Sequence, residues 1–471
     1  MQENPRVSSA PQPVAPSPAR PDIKPARLSA EQYAERFADA APRMTRGQAL
    51  VEAERCLYCF DAPCVTACPT GIDVPSFIRR IADDNLRGAA RTILQANPLG
   101  GTCARVCPTE ELCEQACVRT AQQGKPVEIG RLQRHAVDAV MDRPLADLLH
   151  CAPATGQRVA VVGAGPAGLA CAVGLAQLGH QVSLYDARPK GGGLNEFGLA
   201  AYKVADDFAR RELDWLLALG NITLETGWRL DSAAQLQALR DQHAAVYLAV
   251  GLATTQGLGV PGEELAGVRD AVDFIAELRQ TSDLAQLPIG RRVVVIGGGM
   301  TAVDAAVQSK LLGAEAVHMV YRRGPATMGA SQVEQHWAQT HGVTIHHWLA
   351  PEALLGDNAS GGHVVGVRFA RQALVGGRLQ ATGLFETLDA DMVFKAIGQK
   401  LDSQLLTDCG LSLRDGRVLA DDDGRTSLVG LYAGGDCRFG GRDLTVEAVQ
   451  DGKRAAQAIH AQIAAAPSHK A

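Results

Sequence analysis

The sequence predicts an α+β protein of several domains: an α-helical domain carrying two cysteine groups, then two nested α/β dinucleotide-binding units. Three observations predict it. Eight of the twelve cysteines fall between Cys56 and Cys117, in a stretch of short helical patterns without strand-like runs. The succession strand, glycine turn, helix, strand occurs at 158–186 and again at 291–323. Further strand-like runs at 391–398 and 428–436 follow the second unit, so the chain returns to the first at its end.

Composition agrees with this reading. The 471 residues allow two to four domains at about 100–200 residues each. Apolar residues at 46% and charged residues at 21% are an ordinary globular balance. A net charge of -5 and 4% aromatics exclude a basic nucleic-acid footprint and a base-stacking surface. The 49 glycines suit tight turns lying against phosphates. The N-terminus has no apolar signal region. The uncharged run 159–179 is broken by glycines and Pro166, and reads as strand, turn and buried helix instead of a membrane span. The expectation is a soluble, cytoplasmic protein with no membrane and no nucleic-acid partner.

In order along the chain, residues 1–27 hold seven prolines and read as a disordered tail. Residues 28–150 form the helical domain. Ser29 N-caps its first helix, with Gln32 in capping-box position, and Thr45 caps a second that runs toward Cys56. Residues 151–287 and 396–471 build the first α/β unit, and 288–395 build the second. The first unit is expected to fold around its own core.

Cys56, Cys59, Cys64 and Cys68 form C-x2-C-x4-C-x3-C-P; Cys103, Cys107, Cys113 and Cys117 form a second set, with Pro108 after Cys107. Disulfides do not suit the cytosol. Zinc sites favour two close Cys or His pairs, and only Cys56/Cys59 is such a pair. Three closely spaced thiolates plus one before a proline suit iron–sulfur ligation. In two-cluster ferredoxins the cysteine before proline crosses to the other cluster. Cys56, Cys59 and Cys64 then share one [4Fe-4S] cluster with Cys117, and Cys68 joins Cys107 and Cys113 at a second. The fourth ligand there stays open, with Cys103 the remaining cysteine.

Gly163, Gly165 and Gly168 follow a strand and open a helix, and Asp186 ends the next strand. The turn 163–168, with Pro166 and Ala167, offers backbone to a pyrophosphate, and Asp186 can accept from a ribose hydroxyl. Near the C-terminus Gly434, Gly435 and Asp436 precede a helix starting near Thr445; such an Asp can accept from a ribityl hydroxyl of FAD. In the second unit Gly297, Gly299 and Ala302 give G-x-G-x-x-A, and the next strand ends in Arg322 and Arg323, where an acidic residue would select NAD. Two guanidinium groups suit the 2′-phosphate of NADP(H); a solvated basic loop is the plainer alternative. After Cys117 no two cysteines are close in sequence, so the redox-active pair of thiol–disulfide reductases with this glutathione-reductase-like arrangement is lacking. Electrons are expected to leave through the clusters.

The segments RCLYCFDAPCVTACPTGIDVPSFI, NPLGGTCARVCPTEELCEQAC and IGRLQ resemble the N-terminal part of the dihydropyrimidine dehydrogenase family. GGGLNEFGLAAYK and GGGMTAVDAAVQ resemble most its bacterial two-subunit branch, at the PreT-type flavin and iron–sulfur subunit. The small subunit of glutamate synthase is a more distant likeness. The resemblance implies Gln133, not Cys103, as last ligand of the second cluster. It implies FAD contacts from Val106, Leu194, Lys203, Leu230, Asp436, Thr445 and Val446, with Leu194 and Lys203 beside the flavin. For the nicotinamide nucleotide it implies Gly299, Met300, Thr301, Arg322, Arg323 and Ala396, Ile397 and Gly398. Gly329 stands where the animal enzyme has an arginine for the 2′-phosphate, and the bacterial enzymes use NAD; NAD(H) is therefore expected over NADP(H). Met300 replaces a residue that is often polar.

The expected function is electron input: oxidation of NADH through FAD and two [4Fe-4S] clusters, feeding a PreA-type FMN subunit in a heterotetramer that reduces uracil or thymine to 5,6-dihydropyrimidines. The rivals are an NADPH oxidoreductase subunit of the glutamate-synthase kind and a scaffold whose cofactors are structural.

Overall fold

The computed structural model describes residues 22–357 and 362–465. The expected tail lies outside them up to residue 21. Its remainder is not tail-like: Ile23–Lys24 pairs antiparallel with Ile289–Gly290, and Arg27 Nε donates to Ile289 O at 3.1 Å. Two residues of strand are too short for sequence periodicity to reveal.

Short helices follow to Asp138, and four of them begin at an N-cap side chain that accepts from a free backbone N–H group. Ser29 and Thr45 cap Ala30–Arg36 and Arg46–Glu54, both with full capping boxes. Asp73 and Asn85 cap Val74–Ala82 and Leu86–Ala96. Their apolar faces, with Phe77, Ile78, Ile93 and Leu132, are buried in a core that continues into Val159, Leu169 and Ala456. The helical domain and the first α/β unit therefore share one core, which corrects the expectation of a separate one.

The first unit is a five-stranded parallel sheet in the order Leu431–Ala433, Ala245–Leu248, Arg158–Val162, Gln181–Asp186, Ile222–Thr226. The second is also parallel, in the order Val343–His347, Ala316–Tyr321, Arg292–Ile296, Met392–Lys395, Val268–Asp270. Strands before and after the second sheet complete the first, as the repeated pattern predicts. The second unit also claims Val268–Asp270 and packs helix Ala271–Gln280 into its core, so its elements begin before residue 288. An antiparallel meander, Leu349–Asp357, His363–Val375 and Arg378–Asp389, adds strands that the sequence reading assigns nowhere. Among the described residues no helix is long and apolar enough to cross a membrane.

In each unit one helix starts at the carboxyl end of the sheet's central strand: Pro166–Gln177 and Met300–Leu311. Ligands of open parallel sheets bind at this edge. The last helix, Thr445–Ala465, lies against Pro166–Gln177, where a Cβ on Gly452 would sit 2.1 Å from Ala167 O.

Candidate redox-cofactor site

The cysteines fall into two spatial groups. Cys56, Cys59, Cys64 and Cys117 line one cavity whose walls include the apolar Val74, Ile78 and Ile129. Cys64 lies in the turn Pro63–Thr66, and Cys117 is the N-cap of Val118–Gln123. Burial pushes the Cys64 thiol up to about 12, with Cys117 and Cys56 adding to it. Burial also raises Cys56, and Cys117 and Cys59 add to that. In the second group the Cys107 thiol is raised first by its hydrogen bond with Cys103, then by burial and by Cys103, Cys113 and Cys68. Burial raises Cys113 too, with Glu114 and Cys68 next. Cys68, which precedes a proline, thus lies within electrostatic reach of Cys107 and Cys113. Among the described residues no three ligating groups close around an ion-sized point. A four-iron cube is larger than an ion, and a cavity ringed by four thiols fits it.

Buried carboxylates hold the second group in place. Glu212, on helix Phe208–Leu217, accepts from Gly101 N at 2.9 Å, from Thr102 N at 3.1 Å and from the Thr102 hydroxyl. It thereby anchors the start of Gly100–Val106, the helix that carries Cys103 and leads to Cys107. Burial pushes its carboxyl up to about 7 against those hydrogen bonds. Gln133 Nε2 donates to Gly100 O at 2.7 Å, which fixes the amide and leaves Oε1 free to accept or ligate. Cys103 meets the Cys107 thiol; Gln133 is tied to the same short helix. If Gln133 is the ligand, Gln133→Ala lowers iron content or shifts the second cluster's potential, while Cys103→Ser keeps iron near about eight atoms per chain. Iron analysis and redox titration read this; iron lost only from Cys103→Ser contradicts it.

The first glycine turn has the form a pyrophosphate needs. Gly163 has φ +105°, and a Cβ there would meet Ala249 O at 2.2 Å; one on Gly168 would meet Gly163 O at 1.8 Å. Gly165 faces open space, with only Gly193 Cα near at 3.7 Å. Asp186 is buried and accepts from Ala164 N and Arg188 N, both at 2.9 Å, bracing the turn while spare lone pairs remain. Gly193 brings Leu194 to the turn, Gly435 packs on Ala167, and Thr445 Oγ1 donates to Asn195 Oδ1 at 3.2 Å. Four distant segments thus converge on one cradle. Leu230 is buried in one cluster with Val162 and Leu248. Val106 packs against the shared core. Val446 packs with Cys103 and Leu112, beside Cys107.

Asp436 follows Gly435 at the end of its strand. Burial, then Asp443, push its carboxyl up to about 6, with Arg417 opposing. A raised acid pKa stabilises the fold below the ordinary carboxylate range, and this contribution is lost as pH rises through about 6. Ligand binding has the reverse sign, because the ionised carboxylate is the better acceptor for a ribityl hydroxyl. FAD affinity is expected to fall as pH drops through about 6, and Asp436→Asn to flatten the profile. Titrating FAD into flavin-free protein between about pH 5 and pH 8 checks it.

The second turn repeats the cradle. A Cβ on Gly297 would meet Ala396 O at 2.3 Å, one on Gly298 the Tyr321 ring at 2.4 Å, and one on Gly299 nothing within 4 Å. Met300 and Thr301 open the helix, Ala302 is fully buried, and Ile397 and Gly398 follow Ala396 at the same edge. Arg322 and Arg323 are exposed at the end of their strand, and among the described residues neither pairs with a carboxylate. A Cβ on Gly329 would lie 3.7 Å from Gly299 Cα. Sequence reasoning missed the partners of Lys203: its Nζ lies 2.8 Å from both Asp304 Oδ1 and Glu334 Oε1, in the second unit. No local pattern marks contacts across such separations.

Residues 33–144 match the family model described as dihydropyrimidine dehydrogenase domain II, 4Fe-4S cluster, and residues 157–452 match pyridine nucleotide-disulphide oxidoreductase. The chain is 34% identical over 424 residues to the NAD-dependent dihydropyrimidine dehydrogenase subunit PreT of Salmonella typhimurium, covering 90% of this chain and 96% of that one. It is 31% identical to the glutamate synthase [NADPH] small chain of Azospirillum brasilense, over 94% of each. Among solved structures FprA of Mycobacterium tuberculosis has the same fold, with a TM-score of 0.55, 19% identity, and coverage of 66% of this chain and 85% of that one. FAD, [4Fe-4S] clusters and a nicotinamide nucleotide are the cofactors of this architecture, and the two thiol groups and two glycine turns fit them. With identity sustained across nearly the whole length of both chains, this protein is an iron–sulfur and flavin oxidoreductase that belongs to the family of the PreT subunit of NAD-dependent dihydropyrimidine dehydrogenase.

Proposed function

We propose that the chain is the electron-input subunit of a dihydropyrimidine dehydrogenase: it oxidises NADH and feeds a separate FMN-bearing chain of PreA type, in a heterotetramer, that reduces uracil or thymine. The observation that carries this reading is the packing of Val446, in the first turn of Thr445–Ala465, against Cys103 and beside Cys107. The flavin cradle and the second thiol group share a surface there, so an electron path has no gap to cross. When bound, FAD accepts a hydride and releases single electrons, which iron–sulfur clusters conduct.

The chain's own residues do the rest. The N-termini of Pro166–Gln177 and Met300–Leu311 present N–H groups to two pyrophosphates. Asp186 and Asp436 accept from FAD hydroxyls, with Val106, Leu194, Lys203, Leu230 and Thr445 around them. Cys56, Cys59, Cys64 and Cys117 hold the first cluster; Cys68, Cys107, Cys113 and Gln133 hold the second. Lys453 Nζ donates to Thr70 O at 3.1 Å and to Ala96 O, tying the last helix to the loop after Cys68.

NADH is the proposed donor. Arg322 and Arg323, which pair with no carboxylate among the described residues, favour a 2′-phosphate, but Gly329 offers no third cation. A lower KM for NADH than for NADPH is expected. Gly329→Arg, which has room for a Cβ, should raise kcat/KM for NADPH about tenfold, about 1.4 kcal/mol. A tenfold NADPH preference in the unaltered protein would show that the two arginines suffice. The function itself is tested by mixing the purified chain with its candidate partner and following NADH oxidation. Uracil should stimulate the mixture and leave the chain alone unaffected; uracil turnover by the isolated chain contradicts the subunit reading.

A further inference from the structure

Helix Gln332–Thr340 stands where the three redox units meet. Just before it, Ala330 N donates to Gly298 O of the second glycine turn at 2.9 Å. Its N-cap, Ser331, accepts from Glu334 N at 3.2 Å and donates its hydroxyl hydrogen to Glu110 Oε1. Glu110 lies in the turn Thr109–Glu111, between Cys107 and Cys113. In the helix's first turn Glu334 Oε1 lies 2.8 Å from Lys203 Nζ. Lys203 lies equally close to Asp304 Oδ1, on Met300–Leu311, and Tyr202 OH donates to the same oxygen at 3.2 Å. Ala200 and Tyr202, from the first unit's chain, are buried in the second unit's core.

This junction is charged and enclosed. The Lys203, Asp304 and Glu334 side chains are 16%, 5% and 18% exposed. Against the effect of burial, the two carboxylates hold the Lys203 ammonium above its ordinary value. Among the described residues Glu334 Oε2 has no hydrogen-bond partner. A buried ion network contributes little net stability but is costly when half of it is removed.

We propose that Gln332–Thr340 is a keystone helix. Glu334 and Asp304, acting on Lys203, and Ser331, acting on Glu110, are positioning residues that hold the nicotinamide unit in register with the flavin unit and the second thiol loop. The functional consequence rests on the redox reading above; the geometric claim does not.

The test uses the holoprotein and the double variant Asp304→Asn/Glu334→Gln, which leaves Lys203 buried without a counter-charge. Hydrogen–deuterium exchange is expected to accelerate at least tenfold at 199–204 and 332–340. FAD content and NADH affinity should stay within twofold, while single-turnover flavin reduction by NADH slows at least tenfold. Asp304→Asn alone keeps the Lys203–Glu334 pair and should give a smaller change of the same kind. Unchanged exchange, or a rate that falls only in proportion to lost FAD, overturns the proposal. If the double variant does not fold, Ser331→Ala reads the other link. Exchange at 109–113 and 331–335 should then accelerate, and unchanged exchange there overturns the proposal. Failure of the unaltered protein to reduce its flavin would count against the redox reading and leave the exchange result to judge the helix.

Discussion

Gly168→Ala is expected to yield a chain that purifies without FAD. The added Cβ would lie 1.8 Å from the carbonyl oxygen of Gly163, a backbone atom that no rotamer change can move aside. Either the strand–turn–helix opens or the helix start shifts, and both displace the N–H groups that face the pyrophosphate. Overpacking of this kind costs about 1–3 kcal/mol or more, so FAD affinity should drop by about 100-fold. Gly165→Ala is the informative comparison. Its Cβ meets nothing closer than 3.7 Å, so the flavin-free fold should tolerate it, while the methyl enters the space that the pyrophosphate takes. Flavin content and thermal unfolding of both variants check the pair. A fully flavinated Gly168→Ala protein would mean that this turn is not the FAD site.

Cys64→Ser is expected to separate electron entry from exit. Cys64 belongs to the thiol cavity of the first group, whereas the second group meets the flavin cradle at Val446. Serine nearly preserves the volume, so the shared core should survive, but it is a poor ligand where soft thiolate is wanted. Iron should fall by about half, from two four-iron clusters to one. NADH should still bleach the flavin, and uracil-dependent turnover in the assembled complex should fall below about a hundredth, because the one-electron path is cut between cradle and partner. Undiminished turnover would show that electrons leave by another route.

What the sequence made legible was what lies close along the chain. The glycine turns, the acidic strand end at Asp186 and the thiol spacings are each set by residues near one another along the chain and by one local geometry. What lay hidden depends on distant or short pieces. The strands Ile23–Lys24 and Val268–Asp270 are too brief to show alternation, yet the first pairs residues expected in the tail and the second moves the start of the second unit. The Glu212 anchor, the Lys203 network and the Ser331–Glu110 bond join segments roughly a hundred or more positions apart, and they exist only once the sheets are built. The shared core hid for the same reason: helical and sheet segments each show an apolar face, and the faces do not name their partners.

The most direct measurement is a rapid-mixing experiment on the isolated chain without oxygen, in which NADH is added and flavin absorbance and iron–sulfur paramagnetism are followed in the same samples. Flavin should bleach first, and the signal of reduced clusters should follow, with no partner chain and no pyrimidine present. Flavin that NADH does not bleach, or clusters that stay silent beside fully reduced flavin, would contradict the electron-input reading.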